Sequence, residues 1–162
     1  MKTPFLRSIS RAVLVLSILV VGMQTAVLAQ SVNARHDRIV GLWDTQVSVL
    51  NCNTGVPIAN FRGLTKYELG GTAQIVPSTN PTALSAHVGI WSYVQENSYQ
   101  LAFKMFRFDT AGNNIGWQIV RFDVAINEDA TEEAASGRAE IFDSSGNKVG
   151  MSCPTLTGTR FQ

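Results

Sequence analysis

Apolar and polar residues alternate one by one along short runs of this chain, and no stretch keeps a 3.6-residue apolar period for three turns. Trp43, Thr45, Val47 and Val49 alternate with Asp44, Gln46 and Ser48, and Phe61, Thr65, Tyr67 and Leu69 with Arg62, Lys66 and Glu68. Tyr99, Leu101, Phe103 and Met105 alternate with Gln100 and Lys104, and Val120, Phe122, Val124 and Ile126 with Arg121 and Asp123. Successive side chains of an extended strand point to opposite faces, so each run reads as a strand with one buried and one wet face. Turn-forming residues separate the runs at Asn53-Thr54-Gly55, Gly70-Gly71, Gln95-Glu96-Asn97, Asp109 to Asn113, Asn127-Glu128-Asp129 and Asp143 to Asn147. Eight strands are expected, at 40–50, 57–69, 72–77, 86–94, 99–108, 115–126, 134–142 and 148–161. The longest connection, Ser78 to Ser85, contains Asn80-Pro81.

Eight sequential antiparallel strands can form an open sheet, a sandwich or a closed barrel. Hairpin-length connections without long crossovers favour an all-β, eight-stranded antiparallel up-and-down barrel. A barrel of that size is either filled by its own side chains or holds one small ligand, and alternation does not say which. An internal echo supports the hairpin reading, since Phe108-Asp109-Thr110-Ala111-Gly112-Asn113 recurs as Phe142-Asp143-Ser144-Ser145-Gly146-Asn147. In both, Asp can accept backbone hydrogen bonds at the start of the turn and Gly can take the positive φ at its end.

The first 29 residues read as a signal peptide rather than as part of the fold. Lys2, Arg7 and Arg11 form a basic start, Ala12 to Val21 is apolar apart from Ser17, and Val27-Leu28-Ala29 predicts cleavage before Gln30. The alternative is an uncleaved anchor over Ala12 to Ala29, interrupted by Gln24 and Thr25. With cleavage, residues 30–38 form a flexible lead, 39–162 form the single barrel domain, and no membrane span remains. The 13 Lys and Arg of the chain fall to 10 against 12 Asp and Glu once the three leader cations go, a net charge of −2. No basic cluster survives, which speaks against a nucleic-acid partner. The expected location is outside the cytoplasm, periplasmic or secreted. In that oxidising setting the two cysteines, Cys52 and Cys153, are expected to form a disulfide rather than two free buried thiols.

Gly41-Leu42-Trp43 at the start of the first expected strand and Arg160 near the end of the last resemble the calycins, the superfamily of lipocalins and fatty-acid-binding proteins. The resemblance implies that Trp43 and Arg160 pack across the closed end of the barrel, with the guanidinium over the indole and its donors on backbone carbonyls. The Thr-Asp-Tyr motif of lipocalins proper has no match here. The chain is also similar to bacterial exported proteins through Cys52-Asn53-Thr54-Gly55, His87-Val88-Gly89-Ile90-Trp91, Cys153 and Arg160. That similarity implies the fold and the disulfide and supplies no activity.

Candidate chemistry is sparse. Of the two histidines, His36 falls in the lead, while parity places His87 on the face of Gly89 and Trp91, opposite Val88 and Ile90. His87 is therefore the one candidate for acid–base work, set against a structural or surface histidine bonded to a neighbour. No metal and no cofactor is expected, because two distant histidines and a bridged cysteine pair offer no convergent ligand set. Asp44 and Asp123 fall on polar strand faces and read as solvated rather than as a hydrolytic pair.

Of 14 aromatic residues, 13 lie beyond the leader. Phe61, Tyr67, His87, Trp91, Phe103 and Phe122 are expected to line a ligand cavity, although the same rings could fill the interior solidly. Trp117 and Ile115 fall opposite Phe122 in parity and offer an outward apolar surface. The expected function is non-catalytic binding of a small apolar or amphipathic ligand. The alternatives are an isomerase- or cyclase-like enzyme using His87, or a structural or envelope-interaction module with a filled barrel.

Overall fold

A computed structural model describes residues 36–79 and 83–162 of the chain. The expected signal peptide and most of the lead lie outside the described residues. No helix among the described residues is long and apolar enough to cross a membrane.

The alternating runs fold into eight antiparallel strands. They are β1 (Gly41–Leu50), β2 (Pro57–Tyr67), β3 (Thr72–Pro77), β4 (His87–Gln95), β5 (Ser98–Phe108), β6 (Asn114–Ile126), β7 (Glu132–Phe142) and β8 (Lys148–Arg160). Each pairs with the next in sequence, and β8 pairs back with β1, which closes the barrel. The closing register sets Trp43 opposite Arg160 and Leu50 opposite Cys153. Pairing every edge leaves no open row of backbone donors and acceptors.

Strand parity decides the interior. Val88 and Ile90 are exposed while His87 and Trp91 on the same strand are buried, and Tyr99, Leu101, Phe103 and Met105 form one continuous buried face of β5. Two expected boundaries shift. Leu69 was expected on the buried face of the second strand, but β2 ends at Tyr67 and Leu69 is exposed beside the Gly70-Gly71 turn. The seventh strand starts two residues before the expected 134, and that extension brings Glu133 inside.

The repeated turn is the same structure twice. Asp109 Oδ1 accepts the amides of Ala111 and Asn113, Asp143 Oδ1 accepts those of Ser145 and Asn147, and Gly112 and Gly146 have φ of 84° and 90°. Both aspartates are held below their ordinary pKa, first by the hydrogen bond from the Asn side chain.

Two wall glycines make room for large neighbours. A Cβ on Gly89 would stand 2.1 Å from the carbonyl oxygen of Ala102 and 2.5 Å from the Cβ of Phe103, its cross-strand partner. A Cβ on Gly137 would stand 2.7 Å from the ring of Phe122, again its partner across the ladder. The substitution Gly89→Ala should therefore destabilise the protein by about 1–3 kcal/mol, the usual range for overpacking. A urea midpoint equal to wild type would show that the wall yields instead.

Cys52, in the β1–β2 turn, is bonded to Cys153 on β8, with Cα atoms 5.0 Å apart and a sequence separation of 101. The bridge closes most of the domain into one loop, for which chain-entropy reasoning gives up to about 4.7 kcal/mol. Replacing both cysteines by serine should lower stability by about 2–5 kcal/mol in denaturant titration, without changing the far-ultraviolet spectrum at low denaturant.

Candidate functional site

The two ends of the barrel are built differently. At the end where β1 begins, the short 3-10 turn Asp37–Ile39 buries Ile39 completely. Arg38, expected in the flexible lead, instead donates to the side chain of Asn97 and to the carbonyls of Asn127 and Glu128. Arg160 lies with its guanidinium carbon 4.5 Å from the centroid of the Trp43 ring. Its nitrogens donate to the carbonyls of Ala130 at 2.6 Å, Val40 at 2.8 Å and Arg38 at 2.5 Å. The Trp43 indole N–H donates to Ile39 O at 2.9 Å. All three carbonyls lie outside the strands, and Arg160 satisfies them with one planar fork.

Behind this clamp the interior is solid with aromatic rings. Tyr67 meets Trp91 edge to face at 6.4 Å, and Trp91 meets Tyr99 at 5.9 Å. The Trp91 indole donates to Glu68 O at 2.9 Å. A carboxyl is packed among them: Glu133 is 4% exposed, and its Oε2 accepts the Tyr67 hydroxyl at 3.0 Å. Its Oε1 has no hydrogen-bond partner among the described residues and lies 2.7 Å from where a Cβ on Gly158 would stand. Burial raises the Glu133 pKa to about 7, although the Tyr67 hydrogen bond and the Arg160 charge pull the other way. Burial, with Glu133 beside it, also pushes the Tyr67 phenol well above its ordinary value.

The opposite half of the barrel is hollow. A cavity of about 320 Å³ opens where β2, β6 and β8 begin, walled by Val47, Phe61, Ile75, Phe103, Val120 and Phe122 among others. His87 projects into it at 3% exposure and stacks on Phe103, with ring centroids 5.4 Å apart and planes 10° from parallel. Neither ring nitrogen has a hydrogen-bond partner among the described residues. Burial lowers the His87 pKa to about 4, so the ring is neutral at ordinary pH.

Of the six residues expected around a ligand, Phe61, His87, Phe103 and Phe122 come together at this cavity. Tyr67 and Trp91 do not. They fill the closed half, because β2 and β4 carry them past the middle of the barrel, where polar partners already take their O–H and N–H groups. His36 is exposed, with its Nδ1 3.0 Å from Asp37 Oδ1. Asp44 pairs on the outside with Arg62 at 2.6 Å. Trp117 also faces outward, stacked on Phe142 at 5.6 Å with the Lys104 ammonium 4.7 Å from its centroid, so part of its surface is covered by its own chain. No group of three or more potential metal ligands occurs among the described residues.

Several participants were missed in the sequence. Glu133 lies just before the expected start of the seventh strand at 134, yet it shares parity with Ala135 and Ala139, and that small-residue alternation was the available signal. Thr79 reaches the cavity from a connection, where alternation carries no information.

No protein-family model matches the chain, and no curated protein matches it. Among solved structures it is similar to the crystal structure of Rv2717c from M. tuberculosis, with 12% identity, a TM-score of 0.40, and coverage of 77% of this chain and 94% of that one. A likeness this distant carries no argument about function.

The two buried titratable groups act on stability in opposite directions. The unfolded chain protonates His87 near 6.5 and the folded one only near 4, so its contribution is present above about pH 6.5 and is lost as pH falls through that window. Folded Glu133 keeps its proton to about pH 7 against an ordinary value of 4.5, so its contribution is present below 4.5 and is lost as pH rises through 7. Each slope is at most about 1.4 kcal/mol per pH unit, and they oppose each other between roughly 4.5 and 6.5. Relative to wild type, Glu133→Gln should gain stability from pH 5 to about 7 and level off above that, and His87→Phe should gain it from pH 6 down to 4. Urea midpoints at each pH check both. Parallel curves for wild type and variant would mean that the group titrates alike in the folded and unfolded chains.

Proposed function

We propose that the protein is an exported, disulfide-stapled barrel of calycin type that binds one small apolar or amphipathic molecule without transforming it. The observation that carries this reading is a hollow, apolar half-barrel holding an imidazole that has no hydrogen-bond partner among the described residues, set against a closed half packed with aromatic rings. A barrel built only for stability would gain by filling that space, since unfilled volume forfeits dispersion contacts and destabilises the fold. The calycin assignment is supported by the Trp43–Arg160 clamp across the closed end. Export is supported by the Cys52–Cys153 bridge, since disulfides persist in oxidising compartments, and by the leader-like character of residues 1–29.

Binding is better supported than acid–base catalysis. A general base works best with a pKa near the operating pH and a partner that orients it. His87 lies far below that range, and no carboxylate or hydroxyl orients its ring.

The test is intact and native mass spectrometry of protein purified from its own host's export pathway. The expected chain starts at Gln30, is two protons lighter than the reduced form, and carries a discrete non-covalent species that denaturation releases. A retained leader would overturn cleavage. A bare chain that also fails to bind an apolar fluorescent dye would overturn ligand binding.

A further inference from the structure

Among the described residues, the cavity at the open end has no formal charge in its lining: no Lys, Arg, Asp or Glu contributes to it. Its polar groups are the imidazole of His87, the hydroxyls of Thr79 and Ser152, and the amide of Gln118. Both nitrogens of His87 and the Thr79 hydroxyl oxygen are buried with no hydrogen-bond partner among the described residues. An unmet buried donor or acceptor is costly, so a bound molecule that meets these groups recovers that energy. A neutral imidazole offers one donor and one acceptor, a match for a hydroxyl or a carbonyl.

The ionisable groups Glu133 and Arg160 lie in the other half of the barrel. Glu133 accepts from Tyr67, and Arg160 is held by three backbone carbonyls at the closed end. A carboxylate or ammonium carried into the open half would lose its hydration and find no counter-charge, which is the costly form of burial. Size is limited as well. At about 30 Å³ for a water-sized group in a liquid, 320 Å³ takes roughly ten non-hydrogen atoms.

We infer that the cavity selects an uncharged molecule of roughly ten non-hydrogen atoms, with an apolar body against Phe103 and Phe122 and one hydroxyl or carbonyl bonded to His87. This deepens the binding reading above and rests on it. The class is that of medium-chain alcohols, ketones and comparably sized neutral aromatics, as opposed to fatty-acid anions or alkylamines. His87 is stacked on Phe103, so a polar group bonded to the imidazole would sit close to the Phe103 ring, with the body of the ligand reaching Phe122.

The probes are 1-decanol, decanoate and decylamine, titrated calorimetrically into the purified protein at pH 7. Decanol should bind at least tenfold more tightly than either charged probe. In His87→Phe the advantage of decanol over decanoate should shrink to threefold or less. Decanoate binding as tightly as decanol, or an undiminished decanol preference in His87→Phe, would overturn the inference while leaving ligand binding in place. Failure of all three probes together with an apolar dye would instead overturn the binding reading itself. The comparison of probes needs only the wild-type protein, so it decides the question even if the variant does not fold.

Discussion

The pairing of β8 with β1 is the constraint on which the rest of the molecule depends. A meander of eight strands has two free edges, and joining them turns an amphipathic sheet into a vessel with an inside. The register of that seam puts Arg160 against Trp43, and from this one placement the closed end follows. The guanidinium covers the indole, satisfies carbonyls from β1's approach and from the β6–β7 turn, and holds the 3-10 turn that seats Ile39 beneath it. At the far end of the same seam, the Cys52–Cys153 bridge ties the β1–β2 turn to β8. The seam is thus secured by a hydrogen-bonded and cation–π clamp at one end and a covalent bond at the other.

Closure at one end makes the two halves of the interior unequal. Trp43, Tyr67, Trp91 and Tyr99 crowd the closed half, each with a polar tip to satisfy. The open half is lined by smaller aliphatic groups and by Phe103 and Phe122, whose positions depend on Gly89 and Gly137 having no side chains. The same glycines that let these rings lie close to the wall leave the space between them unfilled. Two buried titratable side chains mark the two halves. Glu133 is embedded in the packing and has a phenol for company, whereas His87 faces the cavity with no hydrogen-bond partner among the described residues.

Much of the fold was legible because a barrel wall keeps strict period two along nearly every strand. The errors fall where that period stops or where both faces carry the same kind of residue. Leu69 continues the alternation of β2 on paper but sits past its end, since Gly70 and Gly71 turn the chain first. Glu133 was hidden by Ala134 and Ala135, which give no contrast between faces. Arg38 looked like part of a loose lead because its partners, Asn97 and two carbonyls of the β6–β7 turn, are distant in sequence. The candidate ligand residues were chosen by face, and face is a two-valued property. It put six side chains inside the barrel and could not rank them along its axis.

By itself the sequence determined which residues face inward along most of each strand, how many strands there are, the order in which they pair, and which cysteines can bridge. Those are local or combinatorial facts, set by side-chain alternation, by turn residues at short intervals, and by there being only two thiols. Tertiary structure alone decided depth: that Tyr67 and Trp91 belong to a packed floor while Phe61, His87, Phe103 and Phe122 surround an empty volume. Depth depends on the stagger of all eight strands and on the volumes of side chains that meet across the barrel, and no single strand carries that information. The same holds for charge. Only the assembled interior shows Glu133 and Arg160 confined to one end and an uncharged cavity at the other.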